Sequence, residues 1–233
     1  MGVNGRNVFL AGASGLVGSL VLRRLLDNQK FTGTIFAPTR RALQVSDSRV
    51  VAPVIDLSPA QSDGALDTLQ RHVSEPLDVF ISCLGTTIKV AGSRQAFIAV
   101  DRDLVLRLAQ FAQVRGANHA ILVSSAGASR QSGNFYLRVK GEVEDAMEKI
   151  GFRRLDLLQP GLLLGDRRQR RPLEALAQSL APLANAALVG RFRSYRSVAA
   201  DTVAKAIANL AFSDQAGLAT HDYDSIISLA SAD

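Results

Sequence analysis

The stretch Gly12-Ala13-Ser14-Gly15-Leu16-Val17-Gly18 governs how the rest of the chain is read. An apolar run at 7–11 leads into it and a segment of helical period, 16–28, leaves it, so three glycines sit at a strand–turn–helix junction. There Gly12 permits a tight turn, Gly15 lets backbone amides approach a pyrophosphate, and Gly18 lets helix pack on strand. The helix N-terminus favours the negative charge, which makes Gly12, Ser14, Gly15, Leu16, Val17 and Gly18 a candidate dinucleotide cradle. The spacing is G-x-x-G-x-x-G rather than G-x-G-x-x-G, so a glycine-rich turn without ligand is the competing reading. The strand and helix flanks favour the ligand.

Outward from this loop, apolar runs at 34–37, 50–55, 79–83, 120–123 and 155–158 alternate with helical segments at 65–72, 93–115, 135–150, 173–187 and 198–212. The alternation predicts an α/β fold, a Rossmann-type doubly wound parallel sheet, with 1–233 forming a single NAD(P)-binding domain and 161–233 a small C-terminal extension on the substrate side. The longest irregular stretches, 124–134 and 161–172, each follow a strand and so hang at the carboxyl edge, where open α/β sheets bind ligands. Residues 213–233 are the least readable part of the chain.

A length of 233 residues suits one α/β domain, and 47% apolar with 21% charged residues suits a soluble globular chain. Cys83 is the single cysteine, and His72, His119 and His221 lack ligand spacing, so no disulfide and no metal site is expected. No uninterrupted apolar stretch is long enough to span a membrane, and residues 1–7 carry no apolar export core, which predicts a cytoplasmic protein with no membrane partner. The net charge of +6, mostly arginine, fits an anionic small molecule or nucleic acid. The basic loop Arg167-Arg168-Gln169-Arg170-Arg171 has too few aromatics nearby for a nucleic-acid platform; it would clamp a substrate carboxylate or phosphate, or simply be solvated.

The second strand ends at Ala37-Pro38-Thr39-Arg40-Arg41, where an NAD-specific protein usually places an acid for the ribose hydroxyls. Arg40 and Arg41 could instead pair with a 2′-phosphate, with Ser14 and Thr39 adding hydroxyls, which puts NADP(H) ahead of NAD(H). Two solvated arginines are the plain alternative. Asp56-Leu57 and Cys83-Leu84-Gly85-Thr86-Thr87 would then flank adenine and ribose. Cys83 ends an apolar strand without a histidine near it in sequence, so it reads as packing rather than as a nucleophile.

Tyr136 and Lys140, four apart on the 135–150 helix, project from one face, so the lysine can support a phenolate and make the tyrosine a usable acid/base. Ser124 and Ser125 end the preceding strand and place a hydroxyl able to polarise a carbonyl. Phe135, Val139, Val143 and Met147 read as the core face of this helix, and Glu142, Glu144, Asp145 and Glu148 as its solvated side. Phe192 and Tyr195 are candidates for the substrate wall.

The order of these parts resembles the short-chain dehydrogenase/reductases over nearly the whole chain. More narrowly it resembles the atypical branch that contains the Tat-interacting oxidoreductase. The narrower likeness rests on Cys83-Leu84-Gly85-Thr86-Thr87, Val100-Asp101-Arg102-Asp103, Ser124-Ser125-Ala126-Gly127-Ala128, Tyr136-Leu137-Arg138-Val139-Lys140-Gly141-Glu142-Val143-Glu144 and Pro160-Gly161-Leu162-Leu163-Leu164-Gly165-Asp166-Arg167. The resemblance implies hydride transfer between NADP(H) and a small carbonyl or alcohol, with Tyr136 as acid/base, Lys140 on the nicotinamide ribose, Ser125 orienting the carbonyl and Pro160 bordering the nicotinamide. One position departs: where the family's usual pattern has an assisting asparagine, the chain reads Val100-Asp101, away from that pattern's proton relay. The branch's regulatory, protein-interacting behaviour implies a second reading, a non-catalytic NADP(H)-binding regulator with a protein partner. A sugar-nucleotide epimerase ranks last, because those enzymes carry a larger domain after the equivalent of Gly161.

Overall fold

In the computed structural model, which describes residues 5–29, 31–57, 62–165 and 188–232, seven short strands lie parallel in one sheet. The first half of the chain runs β1 (Val8–Ala11), α1 (Leu16–Asp27), β2 (Ile35–Phe36), β3 (Val50–Val51), α2 (Ser62–His72), β4 (Val79–Ser82), α3 (Ile88–Ala91), α4 (Arg94–Ile98), a π-turn (Ala99–Leu104) and α5 (Val105–Val114). The second half runs β5 (His119–Val123), α6 (Phe135–Ile150), β6 (Arg154–Leu158), β7 (Leu163–Leu164), a 3-10 turn (Gly190–Tyr195), β8 (Val198–Ala199), α7 (Ala200–Leu210), β9 (Gly217–His221) and α8 (Tyr223–Ser231). The strand order β3-β2-β1-β4-β5-β6-β9 reverses direction of growth between β1 and β4, the crevice where doubly wound sheets take ligands. Strands β7 and β8 form a separate parallel pair beyond it.

Strands β1, β4, β5 and β6 are buried throughout, which is why β1, β4 and most of β5 read as near-continuous apolar runs, while β6 interrupts its run with Arg154 and Asp156. Alternate residues feed two cores. Leu10, Ile81, Ile121 and Leu158 pack under α1, α7 and α8, while Phe9, Phe80, Ala120 and Leu157 pack under α2, α5 and α6.

Three sequence expectations change. The 93–115 helix is broken into α4, the π-turn and α5, because one wider turn brings Asp101 into the interior. The unread segment 213–233 supplies β9 and α8; β9 pairs with β6 over five residues but is exposed at Gly217, Leu218 and Thr220, so as an edge strand it lacks the apolar run of its neighbours. The strand readings at 34–37 and 50–55 shorten to two residues each. The predicted 173–187 helix and the Arg167–Arg171 cluster lie outside the described residues.

Across the sheet, Asp156 on β6 is fully buried and receives four bonds: His119 Nε2 on β5 at 2.8 Å, His221 Nε2 on β9 at 2.7 Å, and Arg154 Nε and Nη2 at 2.8 and 2.5 Å. This network ties β9 to the sheet through a side-chain hydrogen bond as well as backbone bonds.

Candidate functional site

The β1–α1 turn is shaped by close approach. Gly12 has φ +87°, and a Cβ there would lie 2.8 Å from the Cys83 carbonyl carbon, so the glycine loop rests directly on the end of β4. A Cβ on Gly18 would overlap the Gly12 carbonyl. Gly15 is the N-cap of α1 and offers no side-chain cap, and the first turn holds no acid, so its N–H groups face outward for an anion. Ser14 and Gly15 are exposed at this tip, whereas the Val17 side chain is core and only its backbone borders the cradle. Leu16 touches Gly165, which brings the segment after β6 over the start of α1. These features, a cradle that side chains would fill and an uncapped helix end, fit a pyrophosphate.

Arg40 and Arg41 are exposed, and their side chains make no hydrogen bond or ion pair among the described residues. Thr39 is buried, and its hydroxyl donates to the Arg41 carbonyl at 2.6 Å, so it sets the turn that presents both arginines instead of facing a phosphate itself. Asp56 is exposed beside them, while Leu57 packs into the core. The loop after β4 follows with Cys83 against Gly12, Leu84 half-buried, Gly85 exposed and Thr86 half-buried. Burial pushes the Cys83 thiol up to about 12, which leaves it a packing group.

Helix α6 begins at Asn134, whose side chain accepts the Leu137 N–H at 3.2 Å, and ends at Gly151 with φ +87°. Tyr136 is half-buried with its ring 5.7 Å from that of Phe97, and Lys140 Nζ sits 6.0 Å from the Tyr136 ring centroid. Gly141 carries no side chain because the Ser129–Arg130 backbone lies where a Cβ would be, and Ser129 N–H donates to the Leu137 carbonyl at 3.1 Å. The loop that starts at Ser125 is thus laid along the Tyr136–Lys140 face. Ser125 is half-accessible, whereas the Ser124 side chain is buried beside Glu144. Ala126 N–H donates to the Pro160 carbonyl at 2.9 Å, which holds the buried Pro160 against the same loop.

Two acids escaped the sequence reading. Asp101 is fully buried; its Oδ1 pairs with Lys140 Nζ at 2.9 Å and its Oδ2 accepts the Thr86 N–H at 2.8 Å. Glu144, read as solvated, is buried instead, with Gln159 Nε2 donating to both its oxygens at 3.0 Å. Burial raises its carboxyl above the usual range, against the Ser124 and Gln159 side chains. The signal for Glu144 was its spacing, four residues beyond Lys140 on the same helical stripe. Tyr195 also reaches the site: its hydroxyl would stand 3.0 Å from a Cβ on Gly127, and its backbone fills the place a Cβ on Gly161 would take. Phe192 is exposed on the same 3-10 turn.

No family model matches the chain. Protein HTATIP2 of Rattus norvegicus is 38% identical over 175 residues, 74% of this chain and 69% of that protein. The mitochondrial protein fmp52 of Emericella nidulans is 36% identical over 175 residues, 75% of this chain and 74% of that protein. Among solved structures, the UDP-N-acetylglucosamine 4-epimerase of Methanobrevibacter ruminantium M1 superposes with a TM-score of 0.67 at 14% identity, covering 94% of this chain and 77% of that one. The Bordetella bronchiseptica enzyme WbmG, in complex with NAD, gives 0.65 at 11% identity over 98% and 79%. The structural likenesses bear out the doubly wound fold. The fungal names overturn the cytoplasmic expectation, since fmp52 relatives covering most of this chain are mitochondrial. A single cysteine and an ordinary composition describe redox and solubility, not an address. No helix among the described residues is long and apolar enough to cross a membrane.

Proposed function

Since the chain belongs to the family of Protein HTATIP2 and the FMP52 proteins, an atypical branch of the short-chain dehydrogenase/reductases, we propose that it is an NADP(H)-dependent oxidoreductase acting on a carbonyl or alcohol. The observation that carries this reading is the meeting of four loops at one sheet edge: the glycine cradle on Cys83, Thr86 joined through Asp101 to Lys140, the Ser125 loop laid on α6, and Pro160 bonded to Ala126.

The bound nicotinamide supplies or takes up a hydride. The chain's own residues do the rest. Main-chain N–H groups at the start of α1 receive the pyrophosphate, and Arg40 and Arg41 take the 2′-phosphate. Lys140 holds the nicotinamide ribose, Ser125 donates to the substrate oxygen, and Tyr136 gives that oxygen a proton in reduction and removes it in oxidation. Pro160, held by Ala126, would border the nicotinamide. The substrate side, formed by residues 161–165 with Tyr195, accepts a small molecule.

One observation favours the rival reading, a non-catalytic NADP(H)-binding regulator: Lys140 is already paired with a buried carboxylate, which offsets the charge it would lend a phenolate. The deciding experiment follows NADPH oxidation with a panel of aldehydes and ketones for wild type and Tyr136→Phe. Turnover that Tyr136→Phe abolishes, with NADPH affinity kept, is the expected result. Turnover unchanged by the substitution removes the acid/base role, and tight NADPH binding without any turnover transfers the protein to the regulator class.

A further inference from the structure

We propose that Asp101 is a positioning residue that locks Lys140 and the Thr86 end of the β4 loop into one geometry at the cofactor edge. The proposal rests on the reading of Lys140 as the ribose-holding residue.

The π-turn is the local device. Residues 94–114 would otherwise form one continuous helix, and a wider turn at Ala99–Leu104 changes which side chains face inward. The result is a carboxylate with no solvent contact, 0% exposed at the side chain, inserted between two elements that the cofactor reading assigns to binding. Each of its oxygens faces one partner: Oδ1 lies 2.9 Å from Lys140 Nζ as an ion pair, and Oδ2 accepts the Thr86 N–H at 2.8 Å.

This arrangement accounts for the departure from the family's usual asparagine. Two donors converge on position 101, from α6 and from the β4 loop, so the residue there must offer two acceptors. A carboxylate does; an amide offers one oxygen and one NH₂, and would set a donor against a donor on one side. The ammonium of a lysine carries three N–H bonds, and the ion pair with Asp101 orients the group without using them all, leaving donors for ribose hydroxyls. Because Thr86 hangs from the same carboxylate, a shift of either element is transmitted to the other. Glu144, one turn beyond Lys140, is held by Gln159 and does not replace Asp101 as partner.

The test is a double-mutant cycle on NADPH affinity, measured by calorimetry for wild type, Asp101→Asn, Lys140→Met and the double variant, with melting temperatures recorded alongside. If Asp101 acts through Lys140, Asp101→Asn and Lys140→Met each weaken NADPH binding about ten-fold, the effect of an imperfectly paired polar group, and the double variant binds no worse than Lys140→Met alone. With methionine at 140 the asparagine oxygen is free to serve Thr86, so the second loss disappears. A loss from Asp101→Asn that persists in full on the Lys140→Met background overturns the proposal in favour of a purely structural role, as does wild-type affinity in Asp101→Asn. Should Asp101→Asn not fold, Asp101→Ser takes its place in the cycle and is judged by the same additivity. Wild-type protein that binds neither NADPH nor NADH removes the cofactor reading itself, and the positioning role with it.

Discussion

Gly18 stacks beneath the Gly12 carbonyl so closely that a Cβ at position 18 would overlap that group. The clash is with backbone, which has no rotamer to change, so helix α1 would have to move away from β1. Gly18→Ala is expected to destabilise the fold by about 1–3 kcal/mol, the usual cost of overpacking. It should also weaken NADPH binding by displacing the helix N-terminus. Thermal melting and calorimetric titration check both, and unaltered values for the two would mean that the cradle is not held by this contact.

Arg40 and Arg41 stand exposed on a turn fixed by the Thr39 hydroxyl. Replacing both with alanine removes no bond within the described protein, so stability should hold. Affinity for NADPH should fall about ten- to hundred-fold, the worth of one charge-assisted phosphate contact, while affinity for NADH stays the same. Equal losses for the two cofactors would move the 2′-phosphate contact elsewhere.

The Asp156 carboxyl is held well below the usual carboxylate range: burial opposes its ionisation, but His119, His221 and Arg154 together outweigh burial. A depressed folded value adds stability above the unfolded value of about 4, and the contribution is withdrawn as pH falls below it. Calorimetric melting should therefore show wild-type stability declining on acidification through that region, with Asp156→Asn lacking this part of the slope. At neutral pH Asp156→Asn should cost about 3 kcal/mol, since a buried network loses its charge partner. Parallel pH profiles for the two proteins would contradict this account.

Cys83, with its thiol raised to about 12, should resist alkylation by iodoacetamide in the native protein at mildly alkaline pH and react readily once unfolded. Fast native alkylation would put a reactive thiolate beside the glycine loop and reopen its chemistry.

Much of the fold was legible because parallel strands buried on both faces write themselves as apolar runs, and the glycine loop marks their starting point. That Tyr136 and Lys140 share one helix and that Ser125 follows the neighbouring strand was legible too, because one helical turn and one strand end suffice to relate them. Asp101 was not, since only the π-turn makes a residue in the middle of a helical pattern face inward, and hydrophobic periodicity does not record a turn of different width. Strand β9 was hidden because an edge strand needs no apolar alternation on its exposed side, and the hydrogen bond from His221 to Asp156 is a contact between residues far apart in sequence.

That tie has a consequence for how the molecule assembles. Arg6 bonds the Ala211 and Ser213 carbonyls and pairs with Asp214, contacts that span more than 200 positions, while β9 docks against β6, so both the approach to β1 and the far edge of the sheet are completed by residues far along the chain. Such closures are the slowest kind, because the chain must bring distant segments together before any contact rewards it. A ribosome-bound chain halted before residue 217 would hold an unfinished sheet with β6 as an open template, and folding of this domain should therefore finish only after the segment carrying β9 has emerged.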